Sequence, residues 1–268
     1  FVSWSRMKQD EDLLPYTITS GDVAGANTDN WNTTAALSQL SADAEIDLLT
    51  GGLELKMKPW QKFSFGISLD YFDEDNNSSF TSLNQLTGEY GYIAQDSPRI
   101  NRRYKGGSKL VHYKSIPFDK SKKSVTIDVS YHPLSKTTIG LEWRETHNEY
   151  DEREVEKSDE TRVKVFFSTR KLDSATIRLS YLYEDREVDE YISDPYQEYY
   201  TSSLASFVQP SNGSLAFTLA QMRKYDIADR EINQYQARVN FLLRDDMDLN
   251  FTTQYKDIDY GGSYGLLN

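Results

Sequence analysis

The stretch Val125-Thr-Ile-Asp-Val-Ser-Tyr131, His132-Pro-Leu-Ser135, Thr138-Ile-Gly-Leu-Glu-Trp-Arg144 decides how the chain is read. Valine, isoleucine, leucine and aromatic side chains occupy every second position, with threonine, aspartate, serine, glycine, glutamate and arginine between them. Successive side chains of a strand point to opposite faces, so each run has one apolar and one polar face. The proline-containing link is short enough to join the two runs as an antiparallel hairpin.

The same period recurs outward in both directions. Phe63 to Tyr71, Val163 to Phe167, Ile177 to Tyr183, Tyr235 to Phe241 and Leu249 to Tyr255 all alternate. Residues 44–57 carry Ile46 and Leu48 in one phase and Leu53, Leu55 and Met57 in the other, with Gly51-Gly52 between. A β-bulge at the glycine pair would return all five to one face. Residues 1–6 alternate as the tail of another strand, giving eight strands and the end of a ninth. Neither a charged, apolar leader nor a finished ending is visible, so the reading is an internal piece of a longer exported protein.

Connections alternate as regularly as side chains. Lys58–Gln61, His132–Ser135, Lys171–Asp173 and Arg244–Asp246 are tight, whereas 8–43, 73–123, 148–160 and 185–231 are long and polar. An up-and-down meander then has all its short turns at one end and all its long loops at the other, as outer-membrane barrels do. About ten residues at ~3.3 Å each, tilted by ~45°, rise roughly 23 Å, the height of such a barrel's apolar band. Trp60, Tyr71, Phe72, Tyr131, Trp143, Tyr183, Tyr255 and Tyr260 sit near strand ends, where rings with a polar handle favour the headgroup level.

Composition removes several classes. With a net charge of −12, a basic nucleic-acid-binding face has no support. There are no cysteines, so disulfides, thiolate metal sites and covalent haem attachment on this chain are excluded. Mean hydropathy is −0.68, and no run approaches the length of a membrane helix. A 13% aromatic share argues against disorder. The expected fold is therefore all-β: one antiparallel up-and-down transmembrane β-barrel segment spanning 1–268. Its rivals are a soluble β-sandwich binding module, which would hide the apolar faces against a second sheet, and, within the barrel reading, a general or substrate-specific diffusion porin.

If the apolar rows meet lipid, the polar rows line the bore. That set comprises Asp70, Asp128, Glu142, Arg144, Arg162, Lys164, Arg178, Arg238 and Lys256. Most of these charges are expected to satisfy one another and water; Glu142, Arg144, Arg162, Lys164, Arg178, Arg238 and Lys256 are also candidate contacts for a protein filling the lumen. Chemistry is poorly supported elsewhere. His112, His132 and His147 lack a metal-ligand spacing, and Ser130 near His132 has no third group to orient the pair. Asp73-Glu-Asp-Asn-Asn-Ser78 has oxygen ligands at calcium-like spacing but no glycine at the sixth position.

One segment, Met222-Arg223-Lys224-Tyr225-Asp226-Ile-Ala228-Asp229-Arg230 leading into the strand from Tyr235, resembles a loop-to-strand segment of the MtrB/PioB family of outer-membrane barrels. Ile116-Pro-Phe-Asp119, Ser158-Asp-Glu-Thr161 and Tyr183-Glu-Asp-Arg186 with Asp189 and Tyr191 are similar to further segments of that family in the same order, over roughly residues 60–260. The resemblance implies a larger barrel in the bacterial outer membrane that is not an enzyme. It implies a sheath holding a multihaem c-type cytochrome in its lumen, with electrons crossing the membrane along haems carried by that partner and no cofactor on this chain.

Overall fold

The computed structural model describes residues 1–16, 28–81, 83–88, 111–112, 115–172, 174–192, 200–201, 222–244, 246–261 and 265–267. Nine strands form a single sheet: β1 Val2–Gln9, β2 Ala44–Trp60, β3 Phe63–Asn76, β4 Lys120–Tyr131, β5 Thr137–Tyr150, β6 Lys157–Leu172, β7 Ala175–Val188, β8 Arg230–Arg244 and β9 Met247–Asp259. Spatial order equals chain order, and every neighbouring pair is antiparallel. That is the meander the alternating connections require. Among the described residues the helical content is two 3-10 turns, Thr28–Asn30 and Thr34–Ala36.

Among the described residues no second layer covers the apolar face. Leu53 is 66% exposed, Leu141 44% and Phe251 58%, and the same face carries Leu55, Ile139, Val165, Leu179 and Leu249 among the exposed large side chains. The polar face is the enclosed one: Ser124, Thr126, Thr146, Asn148 and Ser158 are buried there. A sandwich core would show the opposite distribution. An uncovered apolar face of this extent suits contact with lipid, which places the oily rows outward and turns the polar rows toward the bore. The outward face carries aromatic rings near the tight turns and along a row in register with Leu141. Near the tight turns Trp60 meets Phe63 edge-to-face at 5.8 Å between centroids, and Phe63 stacks on Tyr131 at 4.7 Å. Tyr181, Tyr235 and Tyr255 run across β7, β8 and β9, at 4.8 and 6.4 Å.

Three expectations are corrected. First, no bulge occurs at Gly51-Gly52: β2 pairs with β3 without interruption from Ile46–Asn76 to Met57–Phe65, and the register shift lies between Met57 and Trp60. Ile46 and Leu48 therefore stay on the bore face, opposite Met7 and Ser5 of β1. Gly52 serves a different purpose, since a Cβ there would come within 2.5 Å of the Phe1 ring. Second, Phe72 pairs with Thr50 and Lys122, which puts it on the bore face and not in the headgroup girdle. Third, strands run 12–17 residues from β2 through β9, longer than the lipid requires. Asp73–Asn76 continue β3 and are no calcium loop, and the expected 148–160 loop shrinks to 151–156. Beyond the lipid, backbone pairing continues because each ladder bond still satisfies a polar group.

Gly140 shows why small residues recur on the bore face. Its partner across the ladder is Phe166, whose ring lies where a Cβ would stand, 2.1 Å from Cζ. The ring covers backbone the glycine leaves bare, an arrangement that compensates for glycine in a strand. Gly140→Ala is expected to displace Phe166 and to lower the urea midpoint of the folded barrel, at a cost of about 1–3 kcal/mol from the forced rearrangement. Gly261→Ala, where nothing lies within 4 Å, is the control.

Candidate functional site

The bore face and its loop end hold the polar groups that could do something beyond building a wall. Cross-strand register sets them in rows. Glu142 pairs with Lys164 and with Asp128; Arg144 pairs with Arg162, which pairs with Glu184; Arg178 pairs with Arg238; Lys256 pairs with Gln234. Glu142, Arg144, Arg162, Lys164, Arg178, Arg238 and Lys256 thus share one face, although Arg178, Arg238 and Lys256 stand on the β7–β9 side, away from the Arg144–Arg162 row.

The two faces differ in charge sign. In register on the bore face are Lys56, Lys120, Lys122, Arg144, Arg162, Lys164, Arg178, Arg186, Arg230, Arg238 and Lys256, against Glu54, Asp70, Glu74, Asp128, Glu142, Glu160, Glu184 and Asp248. The outward face has Arg6, Lys8, Lys123 and Lys157 against Glu45, Asp47, Asp73, Asp75, Glu145, Glu149, Asp159, Asp185, Glu187, Glu231, Asp257 and Asp259. A chain of net charge −12 therefore presents a basic-leaning bore wall and stores its acidic excess on its outer rim and loops. Lining this wall at the β1–β3 side are Met7, Ile46, Leu48 and Phe72.

At the loop end, Arg186 organises a latch. The residue is 5% exposed, and its guanidinium donates from Nε to the Ala228 carbonyl at 2.8 Å, and from Nη1 and Nη2 to the carbonyls of Asp226 and Tyr225 at 2.7 Å each. Ile227 and Ala228 are buried beneath the turn this creates. Asp229 accepts the Val188 N–H at 3.0 Å, and Arg230 pairs with Glu184 and, at 3.7 Å, with Glu160. Lys224 bonds Glu154 at 2.7 Å and Asp226 bonds Arg153 at 2.8 Å, tying the 151–156 connection to the turn. Arg223 stacks on Tyr191 at 4.2 Å. Each charged residue of the family-like segment has a structural partner here. Sequence reasoning had singled out Arg186 within its strand end but not as the centre of this turn, because carbonyl acceptors leave no mark on a sequence.

A second cluster at that end is acidic. Asp119, just ahead of β4, accepts the Asn76 N–H at 2.6 Å. Partial burial raises its carboxyl above the ordinary value of 3.8; this hydrogen bond opposes the shift, while nearby Asp75, Asp151 and Asp73 reinforce it. A carboxyl with a raised folded-state pKa adds stability in acid and loses it as pH rises through that pKa. Asp119→Asn keeps an acceptor for Asn76 and removes the charge. It should slow proteolysis of the 151–156 connection at about pH 7 and change little near pH 3, where the wild-type carboxyl is itself protonated.

Two of the three histidines have structural partners, and the side chain of His112 lies outside the described residues. His132 lies 3.3 Å from the Ser64 hydroxyl and 3.1 Å from that of Thr138, and His147 contacts Asp159 at 2.6 Å and Glu149 at 3.3 Å. Ser130 is not the partner of His132 that spacing suggested. Among the described residues no group of three or more histidine, aspartate or glutamate side chains can hold a metal ion.

A family model and a sequence relative agree with this architecture. Outer membrane protein MtrB of Shewanella baltica (strain OS185) is 22% identical over 225 residues, 81% of this chain and 26% of that protein. The chain thus spans about a quarter of the length of this relative. Among solved structures, in-vitro folded OmpT of Vibrio cholerae, in its trimer form, aligns over 94% of this chain and 66% of its own, at 10% identity and TM-score 0.43. Outer-membrane expressed OmpT of Vibrio cholerae aligns over 95% and 67%, at 10% identity and TM-score 0.35. The family model described as "Putative outer membrane beta-barrel porin, MtrB/PioB" matches residues 1–268. An outer-membrane β-barrel wall with apolar rows outward and a charged bore is what that description requires, and the chain belongs to the MtrB/PioB family.

Proposed function

We propose that this chain is part of a non-enzymatic outer-membrane sheath that encloses a multihaem c-type cytochrome and so supports electron transfer across the membrane. The observation that carries the reading is the sidedness of the wall: basic charge leans toward the bore of a chain whose net charge is −12, and Met7, Ile46, Leu48 and Phe72 also line that bore. Apolar side chains on a bore wall are costly beside water alone and are satisfied by a protein surface. Basic groups around them suit an acidic occupant by charge complementarity. Haem would belong to the partner, because a chain without cysteine cannot attach it through thioethers.

The rival reading, a diffusion porin, draws on the polar character of most of the wall. The test is purification of the full-length protein from its native membrane under mild detergent. A sheath carries a stoichiometric c-type haem absorbance through size exclusion, and reconstituted alone it leaks small ions. A porin purifies without haem and conducts selectively by itself, which would overturn the sheath reading.

A further inference from the structure

Where β4, β5 and β6 approach the loop end, the bore face opens into a recess of about 300 Å³ lined by Lys120, Lys122, Arg144 and Arg162 among others. Three carboxylates share the lining, but each is engaged elsewhere: Glu160 and Glu184 by Arg230, and Asp226 by Arg153. The four cations are not so matched. Arg144 donates from Nε to the Thr126 hydroxyl at 2.9 Å, and Lys120 stands 5.4 Å from the Tyr150 ring. Arg162 Nε is buried with no acceptor. None of the four makes an ion pair among the described residues, in a protein where acidic groups outnumber basic ones by 42 to 30.

Four converging cations left unpaired in such a chain are a costly arrangement unless an anion completes them, and two guanidiniums with two ammoniums suit an acceptor rich in oxygen. We propose that Lys120, Lys122, Arg144 and Arg162 form a seat on the bore face for a multivalent oxyanion of the phosphate or clustered-carboxylate class. Register builds it: Arg144 and Arg162 are direct cross-strand partners, while Lys120 and Lys122 reach the same recess from β4, next to β5. The seat does not depend on what else occupies the bore. A free phosphate and a carboxylate cluster presented by a bound protein offer the same chemistry, and the two arms of the experiment separate them.

The experiment is calorimetric titration of the full-length protein in detergent with inorganic phosphate in one arm and citrate, as a carboxylate cluster, in the other, both against a chloride background. Saturable binding in either arm is expected, and the tighter arm identifies the source. Arg162→Gln and Lys122→Gln should each weaken it about tenfold, as loss of a charge-assisted partner does. Lys256→Gln, on the same face but outside the recess, should leave it unchanged. Lys122 is exposed, so its variant is expected to fold even where the Arg162 variant does not. Absence of saturable binding in both arms, or equal weakening by Lys256→Gln, would overturn the seat in favour of a diffuse bore potential.

Discussion

Arg186→Ala is expected to open the loop end of the barrel while leaving the lipid-spanning hairpins in place. The side chain makes three hydrogen bonds to carbonyls from one nearly buried guanidinium. Removing it takes away three charge-assisted bonds and leaves three carbonyls facing the cavity left behind. Such bonds contribute roughly 1.5–3 kcal/mol each, and allowing for water entering the gap a net loss of about 3 kcal/mol follows. The turn holding Ile227 and Ala228 should release, and with it the ties from Lys224 to Glu154 and from Asp226 to Arg153. Limited proteolysis of the full-length protein in detergent should then cut near residues 151–156 and 225–229 at least about tenfold faster, the population change that such a loss allows. Arg186→Lys keeps the charge but not the planar fork, and should recover only a small part of the protection. Unchanged cleavage in Arg186→Ala would show that burial of Ile227 and Ala228 and the remaining ties hold the turn without this guanidinium.

Much of this architecture was legible in the sequence. Period-two runs gave the strands, and the alternation of tight and long connections gave a meander with a turn end and a loop end. Register was legible wherever one face is continuously apolar, because a one-residue slip would turn every apolar side chain into the bore. Legibility failed where the pattern itself changes phase. Ile46 and Leu48 fit the outward set only through an assumed bulge at Gly51-Gly52, yet the ladder runs straight through. They lie above the lipid band, where the outward face carries Glu45 and Asp47 and the bore face tolerates apolar groups, so binary pattern no longer reports direction there. Tertiary contacts in the loops were equally hidden. The latch depends on backbone carbonyls, and the oxyanion seat depends on Lys120 and Lys122, which in Lys120-Ser-Lys-Lys123 read as an ordinary polar strand start. What distinguishes Lys122 from its neighbour Lys123 is only the face: Lys123 points outward, 3.7 Å from Glu149, while Lys122 points into the bore.

The assignment of faces predicts a sharp asymmetry between two arginine substitutions. Leu141 stands near the middle of the outward apolar rows, between Val129 of β4 and Val165 of β6, and is 44% exposed. Leu141→Arg would place a guanidinium in the hydrocarbon region with no carboxylate on the adjoining positions. At the bilayer midplane such a substitution costs about 2–4 kcal/mol in a β-barrel. Ser180 lies on the opposite face, between Phe166 of β6 and Gln236 of β8. Ser180→Arg would enter the bore among polar groups, where water solvates it. In full-length protein folded into lipid vesicles, Leu141→Arg should lower the urea midpoint strongly and reduce the folded fraction in the outer membrane, whereas Ser180→Arg should leave both close to wild type. Lys256 and Gln254, across the sheet on the bore side of β9, give a second comparison: apolar replacements there should not stabilise, because they do not meet lipid. If Ser180→Arg proved the more damaging change, the oily rows would have to face a protein interior, and the barrel wall, its basic bore and the oxyanion seat would be lost together.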